Sequence, residues 1–298
     1  MNKKELLFYD AYEAFYAMAK ESKAFQSFCK DAFGEDFSQD GFSNKEQIDM
    51  ILQYIPQKGE AHILDIGCGN GKMLGYLQKK TQSHIYGFDY SQQAIKTAQA
   101  LFPENAEFKE GIIGQIEYPE EKFDVIISMD TLYFAADMTA FVAQVKKWLK
   151  KDGVFFVGYQ EGDVIPKTLD AHTTMLAKAL KESNMTYEVT DITKQTYELL
   201  KTKRESAMKH QAMFESEGHG QWFDMLLGQT EYINELFEQF KEKINRVNNV
   251  FDAIGLSVFT VSGAEIACES GYYDKLLLVV LMGMITGVGG GIIRDLLV

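Results

Sequence analysis

The sequence predicts an α/β fold with helices on both faces of a parallel sheet. Two observations predict it. Short apolar runs begin near residue 62, each ending in Gly or Asp, and each is followed by a stretch with one-face helical spacing.

Ahead of the first strand, residues 1–60 read as a helical N-terminal cover, because Phe8, Tyr12, Phe15, Tyr16 and Met18 recur at roughly one-face spacing. Strands are expected at 62–66, 84–88, 106–110, 123–128 and 154–158. Between the last two, Asp137 is placed to cap a helix whose Phe141, Val142, Val145, Trp148 and Leu149 form one stripe, with Gly153 as its C-terminal stop. A helical insertion follows at about 160–246, with a sixth strand expected at 186–189. The Lys/Glu pairs of 191–246 read as the solvated surface of amphipathic helices, a lid of which only the apolar face reaches substrate. From residue 247 the composition shifts, and 276–293 run LLLVVLMGMITGVGGGII without a charge, an apolar C-terminal helical segment just long enough to span a bilayer. Its glycines at 283, 287 and 289–291 are commoner in membrane helices than in soluble ones. The expected organisation is a cover at 1–60, an α/β domain at 61–246 and a membrane-like fragment at 247–298. With Lys241, Lys243 and Arg246 ahead of the apolar run, the α/β domain is expected on the cytoplasmic side, anchored by 276–293.

The net charge of −13 leaves no basic field to attract a phosphate backbone, so nucleic acid is not an expected partner and a small or cationic substrate fits better. Cys29, Cys68 and Cys268 are an odd number without CxxC spacing, which suggests neither a disulfide framework nor a zinc site. Glu5 and Asp10 interrupt the N-terminal stretch, so no signal-peptide core is read there.

The strongest motif is HILDIGCGNG at 62–71, an apolar strand running into a glycine turn and then a helix over 72–80. Glycines at 67, 69 and 71 remove side chains where a ligand approaches the backbone and permit positive φ. Spacing argues against two phosphate sites. The dinucleotide fingerprint needs a third glycine where Lys72 stands, and the phosphate loop needs Ser or Thr where Met73 stands. The second motif is IYGFDYS at 85–91, a strand ending in an acid 20 residues beyond Gly69. Asp89 there is suited to accept both hydroxyl hydrogens of a ribose, Ser91 to cap the following helix, and Tyr90 to cover an adenine face.

LDIGCGNG, GFDYS, FDVIIS and WLKKDGVFFVG together resemble the motif series of class I S-adenosylmethionine-dependent methyltransferases over roughly residues 45–190. The resemblance implies a Rossmann-like sheet with S-adenosyl-L-methionine as cofactor. It implies that Asp65, Gly67 and Gly69 surround the methionine part, with Asp65 pairing with the amino group directly or through water, and that Asp89 binds the ribose hydroxyls; Cys68, Asn70 and Tyr90 are counted with them in the cofactor site. The family's acidic position near the adenine amine falls at Ile112, an apolar departure that leaves the role to backbone groups of Ile112 and Ile113, or to Glu110 if the register is off by two. Met129, after the fourth strand, matches the place beside the sulfonium. Tyr9, Tyr12 and Tyr16 are secondary candidates for closing over the cofactor.

Methyl transfer to a small-molecule acceptor is an in-line displacement for which alignment supplies most of the rate, so no acid–base residue is obligatory and no catalytic residue is assigned. If a proton must leave the acceptor, Asp130, Tyr133, His172 and His219 are the nearest candidates in the chain. His210 and His219 with Glu215 and Glu217 match no familiar metal-ligand spacing, and no metal is expected. Two alternatives stand beside this reading: an NAD(P)-dependent oxidoreductase, and a membrane-anchored or transport-related protein. The second rests on the tail, which resembles the start of one repeat of the bacterial trimeric intracellular cation channel (TRIC) family; one full span and a partial one make a conducting pore improbable. The seventh, antiparallel strand usual in class I methyltransferases has no clear counterpart, unless LSVFTV at 256–261 replaces it; the change of character there suggests a join of two unrelated reading frames.

Overall fold

The computed structural model describes residues 6–241 apart from positions 40, 58, 162–167, 169, 236, 239 and 240. The chain divides into two compact units, Met1–Asn234 and Glu235–Val298. The predicted boundary at 246/247, the apolar run at 276–293 and the substitute strand at 256–261 lie outside the described residues. Among the described residues no helix is long and apolar enough to cross a membrane.

The first unit is built on five parallel strands: β1 (His62–Ile66), β2 (His84–Asp89), β3 (Ala106–Glu110), β4 (Phe123–Met129) and β5 (Leu149–Gly158). Their order is β3-β2-β1-β4-β5, so the sheet reverses direction of growth between β1 and β4. Side chains alternate between faces. Ile63, Ile85, Val125 and Ile127 join one core with Leu74 and Leu77 of α4 (Lys72–Thr81) and Ile95 and Ala98 of α5 (Gln92–Leu101). Leu64, Ile66, Phe88 and Ile126 join the other with Phe141, Val145 and Trp148 of α6 (Met138–Trp148) and Leu176 and Leu180 of α7 (Met175–Glu182). Helices therefore cover both faces, as the sequence predicts.

A third core joins α1 (Tyr9–Glu21) and α2 (Lys23–Phe33) with α8 (Thr193–Ser216) and α9 (Gly220–Gly228), through Phe15, Phe25, Phe28, Leu199, Phe214 and Phe223. α3 (Lys45–Asp49) begins on a reciprocal capping box between Asn44 and Gln47. Ser91 and Asp137 cap α5 and α6 as expected, accepting hydrogen bonds from Ala94 N at 3.1 Å and Ala140 N at 2.9 Å.

Three expectations need correction. Gly153 does not stop α6: that helix ends at Trp148, Leu149 already starts β5, and Gly153 lies inside the strand beside a register shift. A Cβ there would sit 2.9 Å from Phe123 O, so close backbone approach explains the glycine. Residues 186–189 form no strand; the Tyr187 hydroxyl instead meets His172 Nδ1 at 3.0 Å in irregular chain. The charges of 191–246 are not all solvated. Lys203 is 0% exposed, its ammonium donating to Gly41 O at 3.2 Å and Gln229 Oε1 at 2.9 Å and lying 4.7 Å from the Phe42 ring centre.

Candidate functional site

Because the strands are parallel, the ends of β1, β2, β3 and β4 open onto one edge of the sheet, at the reversal of strand order where such folds bind ligands. A cavity of about 320 Å³ lies there. All ten residues proposed from sequence line it: Asp65, Gly67, Cys68, Gly69 and Asn70 from β1 and its turn, Asp89 and Tyr90 from the end of β2, Ile112 and Ile113 after β3, and Met129 at the end of β4. Tyr12 and Tyr16 of α1 line it as well; Tyr9 does not, packing its ring on Tyr90 at 5.7 Å.

The glycine turn is held from outside as well as permitted by its composition. Gly67 has φ of 74° and a Cβ there would lie 2.4 Å from Thr131 Cγ2, while Gly69 has φ of 52° and a Cβ would lie 2.5 Å from the Tyr16 hydroxyl. Thr131 is pinned where it stands, donating to Ile66 O at 2.8 Å and sharing a hydrogen bond with Ser128 at 2.7 Å. The amides of Gly67 and Cys68 both donate to Phe88 O, at 2.9 and 3.1 Å, tying the turn to β2.

Asp89, 5% exposed, accepts from Gly69 N at 3.0 Å through Oδ2 and from Ser91 N at 2.8 Å through Oδ1. Burial pushes its carboxyl up to about 6, against the lowering effect of those two amides. Asp65 is 2% exposed and accepts no hydrogen bond from any described residue; burial, and then the charge of Asp89, raise its carboxyl well above the ordinary range. The Cys68 thiol is raised by burial and by the same two acids, which makes it an inert wall group. The amides of Ile112 and Ile113 make none of the loop hydrogen bonds that their neighbours make: Gly111 N donates to Asp89 O at 2.9 Å and Gln115 N to Ile112 O at 2.9 Å. Glu110, the alternative position, is turned to Gln92 Nε2 at 3.1 Å and does not line the cavity.

Of the four groups named for proton removal, Asp130 and Tyr133 line the cavity and His172 and His219 do not. No described residue of the 160–246 insertion lines it either, so the expected lid contributes packing on α2, not wall. His210 bonds Asp31 at 2.8 Å, and Glu217 receives Ser22 Oγ at 2.6 Å and Ala24 N at 3.1 Å. Sequence reasoning missed Phe37, Ser38, Gln39 and Gly41, a wall segment from the loop between α2 and α3. Its signal was the polar, glycine-flanked run of 34–44, a loop of the kind that carries binding residues.

Residues 57–244 match the family described as a methyltransferase domain. The chain belongs to that family. S-adenosylmethionine is the cofactor of its class, and membership sets aside the nicotinamide-dependent alternative. The chain is 27% identical over 212 residues to phosphoethanolamine N-methyltransferase 1 of Arabidopsis thaliana, covering 66% of this chain and 43% of that one. It is 33% identical over 98 residues to the ubiquinone biosynthesis O-methyltransferase of Bartonella quintana, covering 32% and 39%. The chain thus spans less than half the length of these relatives. Among solved structures it is similar to Haemonchus contortus phosphoethanolamine N-methyltransferase 2 in complex with phosphomonomethylethanolamine and S-adenosylhomocysteine, with a TM-score of 0.59 at 18% identity over 77% of this chain and 58% of that one. A cyclopropane synthase of Mycobacterium tuberculosis gives 0.56 at 18% identity over 75% and 93%. These two likenesses speak for the fold alone. Residues 249–298, read from the sequence as resembling the TRIC family, match the family described as glycine transporter.

Proposed function

We propose that the cavity holds S-adenosylmethionine and that the chain transfers its methyl group to a small-molecule acceptor. The observation that carries the reading is Asp65, a carboxylate buried in the cavity wall without a donor from the described chain. A buried unpaired acid is costly, and an ammonium group placed in the cavity relieves that cost. The donor's amino group is such a cation. Around it the turn of Gly67, Cys68, Gly69 and Asn70 would enclose the methionine part, and Asp89 would take the ribose hydroxyls on lone pairs not used by Gly69 N and Ser91 N. Tyr90 supplies a ring face and the amides of Ile112 and Ile113 supply donors for the adenine, while Met129 borders the reacting end.

When bound, the cofactor supplies a methyl group already activated by its sulfonium. The chain's own contribution is alignment: Asp65 and Asp89 fix the two ends of the donor, and the α1 tyrosines Tyr12 and Tyr16 exclude water from the side facing it. A thermal melt at saturating S-adenosylmethionine tests this. A ligand at a hundred times its Kd stabilises by about 2.7 kcal/mol, so the midpoint rises by several degrees, and NADH at the same concentration leaves it unmoved. A larger rise with NADH overturns the reading.

For residues 249–298 we retain the reading as a segment that associates with membrane through the uncharged run at 276–293, leaving the catalytic domain on the cytoplasmic side. The full chain is then expected in the membrane pellet of a lysate and residues 1–246 in the supernatant; equal partition of the two rejects it.

A further inference from the structure

α8 puts no side chain into the described wall of the cavity, yet its Lys203 reaches the segment that forms part of that wall. Phe37, Ser38, Gln39 and Gly41, from the loop between α2 and α3, line the cavity, and two lysines hold that loop. From α4, Lys72 Nζ donates to Asp36 Oδ2 and to Ser38 Oγ, each at 2.6 Å. From α8, Lys203 Nζ donates to Gly41 O at 3.2 Å and to Gln229 Oε1 at 2.9 Å, and the Phe42 and Phe33 ring centres lie 4.7 and 5.6 Å from it.

The Gly41 carbonyl and the Phe42 amide belong to one trans peptide group, so they point to opposite sides of it. Lys203 holds the carbonyl side. On the other side Phe42 N donates to Asp130 Oδ2 at 2.9 Å, and Ser43 Oγ reaches the same oxygen at 3.2 Å. One peptide therefore spans an ammonium and a carboxylate; both bonds are charge-assisted, and each polarises the other. The approach is close. A Cβ on Gly41 would lie 2.9 Å from Asp130 Oδ2, so the glycine lets the loop seat against the end of β4, where Asp130 lines the cavity with a left-handed φ of 54°. Lys203 is fully buried, and a buried charge stabilises a fold no better than a well-packed apolar side chain of its size. A directed bond to one carbonyl is what the lysine supplies and an apolar side chain does not.

We infer that Lys203 is a positioning residue of the cofactor site: through the Gly41–Phe42 peptide it sets the loop wall and the Asp130 carboxylate from outside the cavity. The inference rests on the donor reading above.

Two measurements on the full chain test it. In calorimetric titrations with S-adenosylhomocysteine, Lys203→Met is expected to bind about three- to thirtyfold more weakly than wild type. Glu217→Ala, which loosens α2 against α8 without touching the lysine, is expected to stay within about twofold and so controls for a general loss of stability. The second measurement reads the peptide itself by NMR. With 13C on glycine carbonyls and 15N on phenylalanine amides, only Gly41–Phe42 and Gly87–Phe88 give correlated signals, and Asp130→Asn marks the first by shifting it. Lys203→Met is expected to move the Gly41–Phe42 carbonyl and amide signals upfield and to leave Gly87–Phe88 in place. Affinity within about twofold of wild type, or an unmoved Gly41–Phe42 signal, overturns the inference. If Lys203→Met is unfolded by circular dichroism, Lys203→Gln, a shorter side chain with a polar end, takes its place with the same expectations; a chain that folds with neither makes the lysine a core residue and overturns the inference too. Absence of S-adenosylhomocysteine binding by the wild-type chain brings down the donor reading instead, and is seen before any variant is made.

Discussion

Asp89 shows how one side chain serves turn and ligand at once. Its two oxygens hold the amides of Gly69 and Ser91, so it braces the glycine turn from the neighbouring strand while facing the cavity. Its folded value of about 6 lies above the ordinary carboxylate value of roughly 3.9. A raised acid binds its proton more tightly folded than unfolded, so its contribution to stability grows as pH falls from about 6 towards 4 and is lost above 6. Donor binding runs the opposite way, because a ribose hydroxyl is held best by the ionised form. If only that form binds, Asp89 alone makes affinity for S-adenosylhomocysteine fall about tenfold between pH 7.5 and pH 5, and Asp89→Asn removes that part of the fall. Titrations across that range check it, and a flat wild-type profile contradicts it. Gly69 offers a second check at this scale. Gly69→Ala combines a left-handed backbone, costing roughly 1–2 kcal/mol, with a collision against the Tyr16 hydroxyl. Weaker donor binding is expected, partly restored when Tyr16→Ala is added, which a double-mutant cycle reads directly. The glycines were legible in the sequence; Tyr16 and Thr131 as their close neighbours were not, because a contact across 53 or 64 positions leaves no local pattern.

Among the elements, strands β1 to β4 were readable from their short apolar runs, and helices α4, α5 and α6 from their own period, helped at α5 and α6 by the caps Ser91 and Asp137; β3 runs to β4 without the helix its run was expected to precede. What failed was what depends on a partner. Residues 186–189 alternate like a strand, yet a strand needs a sheet edge to pair with, and no pattern within four residues supplies one. Lys203 sits in a charged helix and reads as solvated, but α2 and the loop at 41–42 close over it. The junction of α2 with α8 is tested at Glu217, which receives Ala24 N and Ser22 Oγ across more than 190 positions and so closes the first turn of α2. Glu217→Ala is expected to cost about 1–2 kcal/mol in urea denaturation with no change in donor affinity, since Glu217 does not line the cavity. Loss of donor affinity instead would mean that the helical layer shapes the site.

At the scale of the molecule, the parallel order and its reversal place all ten residues expected around the cofactor on one cavity, while Tyr9, Glu110, His172 and His219 stay off it. That convergence was legible because the ligand-facing residues of a parallel sheet all follow strand ends, which the short apolar runs mark. The order of strands was not written locally, nor was the charge of the finished described wall, whose three acids, Asp65, Asp89 and Asp130, come from three separate strands and their ends. All described wall residues lie before position 137, so residues 1–246 are expected to bind S-adenosylhomocysteine within about twofold of the full chain.

The most direct measurement is a calorimetric titration of S-adenosylhomocysteine into the wild-type chain and into Asp89→Ala, with circular dichroism to show that both are folded. Losing hydrogen bonds to a buried charged group costs roughly 1.5–3 kcal/mol, so the variant should bind about ten- to a hundredfold more weakly. Equal affinity in the two folded chains would place the nucleoside elsewhere and contradict the account.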